Sequence, residues 1–129
     1  MKSLNSVQLI GNLAREPDLR KMPNGVSVCN FWIITNREWK TKDGEERSDS
    51  IKHTCVAWGR LAEICGELLR TGNLVFVSGY LSQRQQRRDT EWRGVNRNQE
   101  VAETIIVVED MISFGERERK YEKLRPSYR

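Results

Sequence analysis

Apolar residues fall in short alternating bursts along most of the chain, and only one segment changes to helical spacing. Leu4 to Leu13, with Val7, Leu9 and Ile10 ahead of Gly11, reads as a first strand. Pro17 and then Pro23-Asn24-Gly25 punctuate the next dozen residues, the latter as a turn in which glycine supplies positive φ. Val26 to Thr35 is the second strand. Val26, Val28, Trp32 and Ile34 share one face with Asn30, and Cys29, Phe31 and Ile33 share the other. Apolar residues on both faces imply cover on both sides, as in a small barrel or at a subunit contact, and Trp32 is expected in the core. A polar stretch, residues 36–50, carries Asp43-Gly44, a strong hairpin signal, at its centre. Ile51 to Trp58 is the third strand.

Gly59 ends that strand and the period changes. Leu61, Ile64, Cys65 and Leu68 fall on one face of a helix, which Thr71-Gly72-Asn73 closes with Gly72 as its left-handed cap. Leu74 to Leu81 is the fourth strand. Ser82 to Gln99 is a polar hairpin arm, and Val101 to Val108, extending toward Phe114, is the fifth strand. Three strands, one helix and two strands is the order of the OB-fold: an all-β, five-stranded Greek-key barrel with the helix between strands 3 and 4. Residues 1–115 are expected to form that domain and residues 116–129 a basic, mobile tail.

The length of 129 residues suits one such domain. Mean hydropathy is −0.69, and the longest apolar run, residues 105–108, is strand length, so no membrane-spanning helix is predicted. The first residues lack an apolar signal region, and a cytoplasmic, nucleoid-associated protein is expected. Three cysteines, Cys29, Cys55 and Cys65, cannot all pair within one chain and read as buried thiols. His53, the one histidine, could join them at a zinc site, but the spacing matches no zinc module, and no metal or other cofactor is expected. With neither a Walker A loop nor a G-x-S-x-G elbow, no catalytic residue is assigned and no enzyme is predicted.

The formal net charge of +4 is mild, but the basic residues are concentrated. Trp39 stands among Arg37, Lys40 and Lys42. The late hairpin arm carries Arg84, Arg87, Arg88, Arg93 and Arg97 around Trp92, against only Asp89 and Glu91. Cations with interleaved rings on two protruding loops are what a sequence-tolerant binder of single strands requires, the cations for phosphates and the rings for stacked bases. Stacking and charge alone do not separate DNA from RNA.

The runs Asn5-Ser6-Val7-Gln8-Leu9-Ile10-Gly11-Asn12-Leu13, Glu16-Pro17-Asp18-Leu19-Arg20 and Met22-Pro23-Asn24-Gly25 resemble the opening of the bacterial single-stranded DNA-binding proteins. So do residues 35–39, His53 to Glu63 and Leu69 to Leu81, and the resemblance runs from about Asn5 to Phe114. It implies a homotetramer that binds and protects single-stranded DNA in replication, recombination and repair. It implies stacking platforms at Trp39 and Trp58, with Trp92 standing in for an aromatic that falls near Gln86 here. Lys52 replaces the aromatic that commonly precedes the histidine. Phosphate contacts are expected from Arg37, Lys40, Lys52, Arg84, Arg87, Arg88 and Arg93, and His53 is expected near a subunit interface. Fewer rings and more cations imply strongly salt-dependent binding. The family commonly ends in an acidic tip that recruits other proteins, whereas this sequence ends in a basic run, so recruitment of that kind is not expected. A family-derived accessory factor acting mainly through protein contacts, and an RNA-directed module, are the alternatives.

Overall fold

The alternating bursts pair into one sheet that closes on itself. The computed structural model describes residues 1–92 and 95–115, and the side chains of these outside 86–100. The elements in order are β1 (Val7–Leu13), β2 (Asp18–Lys21), β3 (Ser27–Lys40), β4 (Glu46–Trp58), α1 (Arg60–Leu68), β5 (Leu74–Trp92) and β6 (Val95–Gly115). Their sheet order is β1-β5-β6-β4-β3-β2, and β1 also pairs with β3. Five strands therefore form a closed barrel and β2 hangs outside on β3. The β4–β6 pairing is parallel, and the other pairs are antiparallel. This is the expected OB-fold. Among the described residues no helix is long and apolar enough to cross a membrane.

Alternation decides what fills the barrel. Cys29, Phe31 and Ile33 of β3 are fully buried, as are Cys55 and Ala57, which stand opposite Phe31 and Cys29 on β4. Val75 and Val77 of β5, with Ile106 and Val108 of β6, complete the wall, and Ala62, Cys65 and Leu69 from α1 and its end plug the barrel. A second, smaller cluster of Val28, Val56 and Ile105 with Val107 lies on the outer face of the same strands. Both faces of β3 are thus apolar, as its sequence implies.

The barrel closes where β1 reaches β3, at Asn12 opposite Ile34 and Leu13 opposite Ile33. There the backbones come so close that a Cβ on Gly11 would collide with the Ile34 carbonyl and the Ile33 side chain. Gly79 has the same role on the other side, against the Val107 carbonyl, beside a bulge in the β5–β6 register.

The structure corrects several local expectations. Asp18–Lys21 forms β2, a strand whose single apolar residue, Leu19, packs against Gly66 of α1. The polar stretch at 36–50 and the arm at 82–99 are hairpins, as expected, but the strands run further into them than their apolar bursts. They continue β3, β4, β5 and β6 as paired ribbons down to Lys40 opposite Glu46 and Trp92 opposite Val95. The helix ends at an extended Leu69, which is buried while Leu68 is exposed. Gly72, with φ 85°, therefore belongs to the following turn and not to the cap. Trp32 is not in the core: it alternates with Phe31 and Ile33, so its ring faces outward.

Gly11→Ala is expected to lower unfolding free energy by about 1–3 kcal/mol or more, because backbone must move to admit the methyl group. Denaturant titration checks this, with Gly44→Ala, in the exposed turn between β3 and β4, as the milder comparison.

Candidate nucleic-acid interface

The two ribbons exist because a hairpin satisfies its own backbone hydrogen bonds and can project beyond the barrel without a core. The first is built by Asp43-Gly44: the Thr41 amide donates to the Glu45 carbonyl at 2.9 Å and the Gly44 amide to the Thr41 carbonyl at 3.0 Å. Near its tip, Trp39 stands opposite Arg47 and is 39% exposed. The Arg37 guanidinium lies 4.5 Å from the centre of that ring and 3.7 Å from the Asp49 carboxylate. An open groove of about 440 Å³ is lined here by Glu38, Trp39, Lys40, Glu46, Arg47 and Ser48. With Arg37 beside it, the groove brings together a ring and three cations, with acids on its rim.

Trp58 is elsewhere. It stands opposite Val28 at the barrel end of β4 and is 48% exposed. The eleven steps from Val28 to Trp39 span about 36 Å of strand. By alternation Trp58 shares a face with Lys52, whereas Trp39 shares the opposite face with Arg37 and, on β4, His53. Trp39 and Trp58 therefore do not form one platform. Lys52 is exposed opposite Ile34.

Arg84 differs from expectation. Its Nε donates to Glu103 Oε2 at 2.9 Å and its Nη1 to Asn30 Oδ1 at 2.6 Å, tying β5 to β6 and β3. Both members of the ion pair are partly buried, so Arg84 fastens the root of the second ribbon with two of its nitrogens engaged. The side chains of Arg87, Arg88 and Trp92 lie outside the described ones, and Arg93 and residues 116–129 lie outside the described residues.

His53 sits between barrel and ribbon. Its Nε2 is 2.8 Å from the Thr35 hydroxyl, and it borders a cleft of about 200 Å³ with Lys52, Thr54, Leu81, Thr104, Ile105 and Ile106. Burial lowers its pKa. The thiols move the other way. Burial, helped by Asp18, pushes Cys29 up to about 11, and burial pushes Cys55 and Cys65 up to about 12. Among the described residues no group of three or more His, Cys, Asp or Glu is placed to hold a metal ion.

Arg47 and Arg15 are cations beside rings that the sequence pattern did not single out. Arg47 is masked by its acidic neighbour Glu45, to which it donates at 2.9 Å, and only strand pairing puts it opposite Trp39. Arg15 lies 3.8 Å over the Trp32 ring, a contact between segments far apart in sequence.

Residues 4–114 match the sequence model described as the Single-strand binding protein family. The chain is 41% identical over 83 residues to a single-stranded DNA-binding protein of Neisseria meningitidis serogroup A, covering 64% of this chain and 48% of that one. The serogroup B protein gives the same figures. The chain spans about half the length of these curated relatives. Among solved structures, a Plasmodium falciparum SSB in complex with single-stranded DNA superposes with a TM-score of 0.74 at 28% identity, over 88% of this chain and 97% of that one. A deletion mutant of the Thermus aquaticus single-stranded DNA-binding protein gives 0.71 at 32% identity, over 88% and 52%.

Because the folded state favours neutral His53, the unfolded chain binds the proton more readily. Stability present above the ordinary value of 6.5 is lost as the pH falls below it toward the folded value. Melting temperature is expected to drop between about pH 7 and pH 5.5, and His53→Gln, whose amide can still meet the Thr35 hydroxyl, is expected to reduce that drop.

Proposed function

The chain belongs to the Single-strand binding protein family, and we propose that it binds and protects single-stranded DNA without sequence preference during replication, recombination and repair. The observation that carries this reading is the groove on the first ribbon, where Trp39 is exposed between Arg37, Lys40 and Arg47. A base stacked on such a ring contributes about 1–3 kcal/mol by alanine substitution, and every base has a face to offer, so the contact tolerates any sequence. The cations neutralise the adjoining phosphates. Trp58 and Lys52 supply a second contact on the opposite face, so the bound strand passes from one side of the sheet to the other. Residues 1–115 act as the binding domain. Arg87, Arg88, Trp92 and Arg93 extend the contact along the second ribbon, and the basic segment 116–129 is a tail. The protein works in the cytoplasm, where the chromosome is copied.

The same surface logic supports a homotetramer. Ile10, Phe76 and Ile112 stand in one row across β1, β5 and β6, and Ile10 and Ile112 are 58% and 47% exposed. An apolar row on the outside of a barrel is covered when a second copy packs on it. Arg84's engagement with Glu103 and Asn30 leaves it less free for a phosphate, which is the specific observation favouring the accessory-factor alternative. That alternative requires weak single-strand binding.

Oligo-dT is expected to quench tryptophan fluorescence strongly, and Trp39→Ala and Trp58→Ala each to weaken binding by about 1–3 kcal/mol. The logarithm of affinity should fall with the logarithm of salt concentration with a slope of about −0.7 per phosphate neutralised. Light scattering of the free protein should return four times the chain mass. Unchanged affinity in both variants would remove the stacking assignment.

A further inference from the structure

Trp32 is a large aromatic residue that the barrel does not use. It belongs to neither hydrophobic cluster and is not among the residues packed against them. It is half-buried on the outer face of β3, and Arg15 holds its guanidinium 3.8 Å from the ring centre. Among the described residues Arg15 makes no ion pair. The segment that carries Arg15 is fixed on both sides. The Ala14 amide donates to the Trp32 carbonyl at 2.8 Å, and Glu16 Oε1 accepts from the Thr71 amide at 3.2 Å and the Thr71 hydroxyl at 3.1 Å. The pairing of cation and ring is therefore built into the fold.

Strand register extends the point. Trp32 stands opposite Thr54, Ile34 opposite Lys52 and Val28 opposite Trp58. These residues share one face, so Trp32 lies about 13 Å along the strand from the Trp58 rung and about 7 Å from the Lys52 rung. Ring, ring and ammonium follow one another in a strip.

We propose that Trp32 is a further base-stacking platform for single-stranded DNA, with Arg15 as its phosphate contact. In the free protein the flat guanidinium covers the indole, as a base would. When the strand binds, a base takes that place and Arg15 moves to the adjoining backbone phosphate. A planar cation on a half-buried ring at the surface is a modest interaction that a stacked base can replace. The inference rests on the single-strand reading, and it adds a ring to the face that otherwise holds Trp58 alone.

The test uses the full chain. Oligo-dT carrying 5-iodouracil is bound, irradiated and mapped after trypsin digestion, which separates Trp32 (residues 22–37) from Trp39 (residues 38–40). A crosslink in residues 22–37 at Trp32 is expected. Trp32→Thr should weaken oligo-dT binding at least fivefold without changing the salt slope, and Trp32→Phe should restore most of it. Arg15→Gln should make the slope shallower by about 0.7. Wild-type affinity in Trp32→Thr, or crosslinks confined to Trp39 and Trp58, overturns this proposal alone. A wild-type chain that ignores oligo-dT overturns the functional reading and this proposal with it. If Trp32→Thr does not fold, the wild-type crosslink decides.

Discussion

The close approach of β1 to β3 is the constraint on which the structure depends. Without it the sheet would be an open ribbon with two bare edges, each offering unpaired amides and carbonyls to other chains. Closure requires two backbones to meet where no side chain fits, and Gly11 beside the Ile34 carbonyl meets that requirement. Once closed, the barrel has an inside. Cys29, Phe31 and Ile33 then become core because of which way they point, and α1 has an end to plug.

Closure also limits where binding chemistry can sit. A small barrel filled with side chains has no room for a ligand, so a ligand can be met only on the outside or on the ribbons that continue two hairpins past the wall. A ribbon keeps its backbone bonded, costs little apolar surface and carries charge easily. The barrel must nevertheless hold each ribbon at a fixed angle. Arg84 does this for the second ribbon by joining β5, β6 and β3 in one hydrogen-bonded group over the outer cluster of Val28, Val56 and Ile105. Arg84, expected from sequence as a phosphate contact, thus also ties the root of the second ribbon to the barrel.

The turns at Pro23-Asn24-Gly25 and Asp43-Gly44, the alternation through β3 and the strand–helix order were legible, because each depends on chemistry within a few residues. β2 was not legible. With one apolar residue in four it has no periodicity, and it is a strand only because β3 offers a free edge and Gly66 leaves room for Leu19. The first hairpin shows no strand pattern in sequence because residues 36–50 are almost all exposed, so nothing enforces a period of two in their side chains. For Trp32, alternation separated two apolar faces without saying which one turned inward, and closure decided it. The exposure of Trp39 among cations was legible from its basic neighbours. That Trp39 and Trp58 lie on opposite faces was not, since that depends on counting register across an intact hairpin.

The three thiols have a practical consequence. Burial holds Cys29, Cys55 and Cys65 as neutral thiols, which are poor nucleophiles, and no route from solvent reaches them while the barrel is shut. Each lies on a different wall or on the plug: β3, β4 and α1. Alkylation at any of them therefore has to wait for that part of the molecule to open. The rate at which each cysteine is labelled is a clock for the opening of its own element. Comparing the three reveals whether the barrel and its plug come apart together or one after the other.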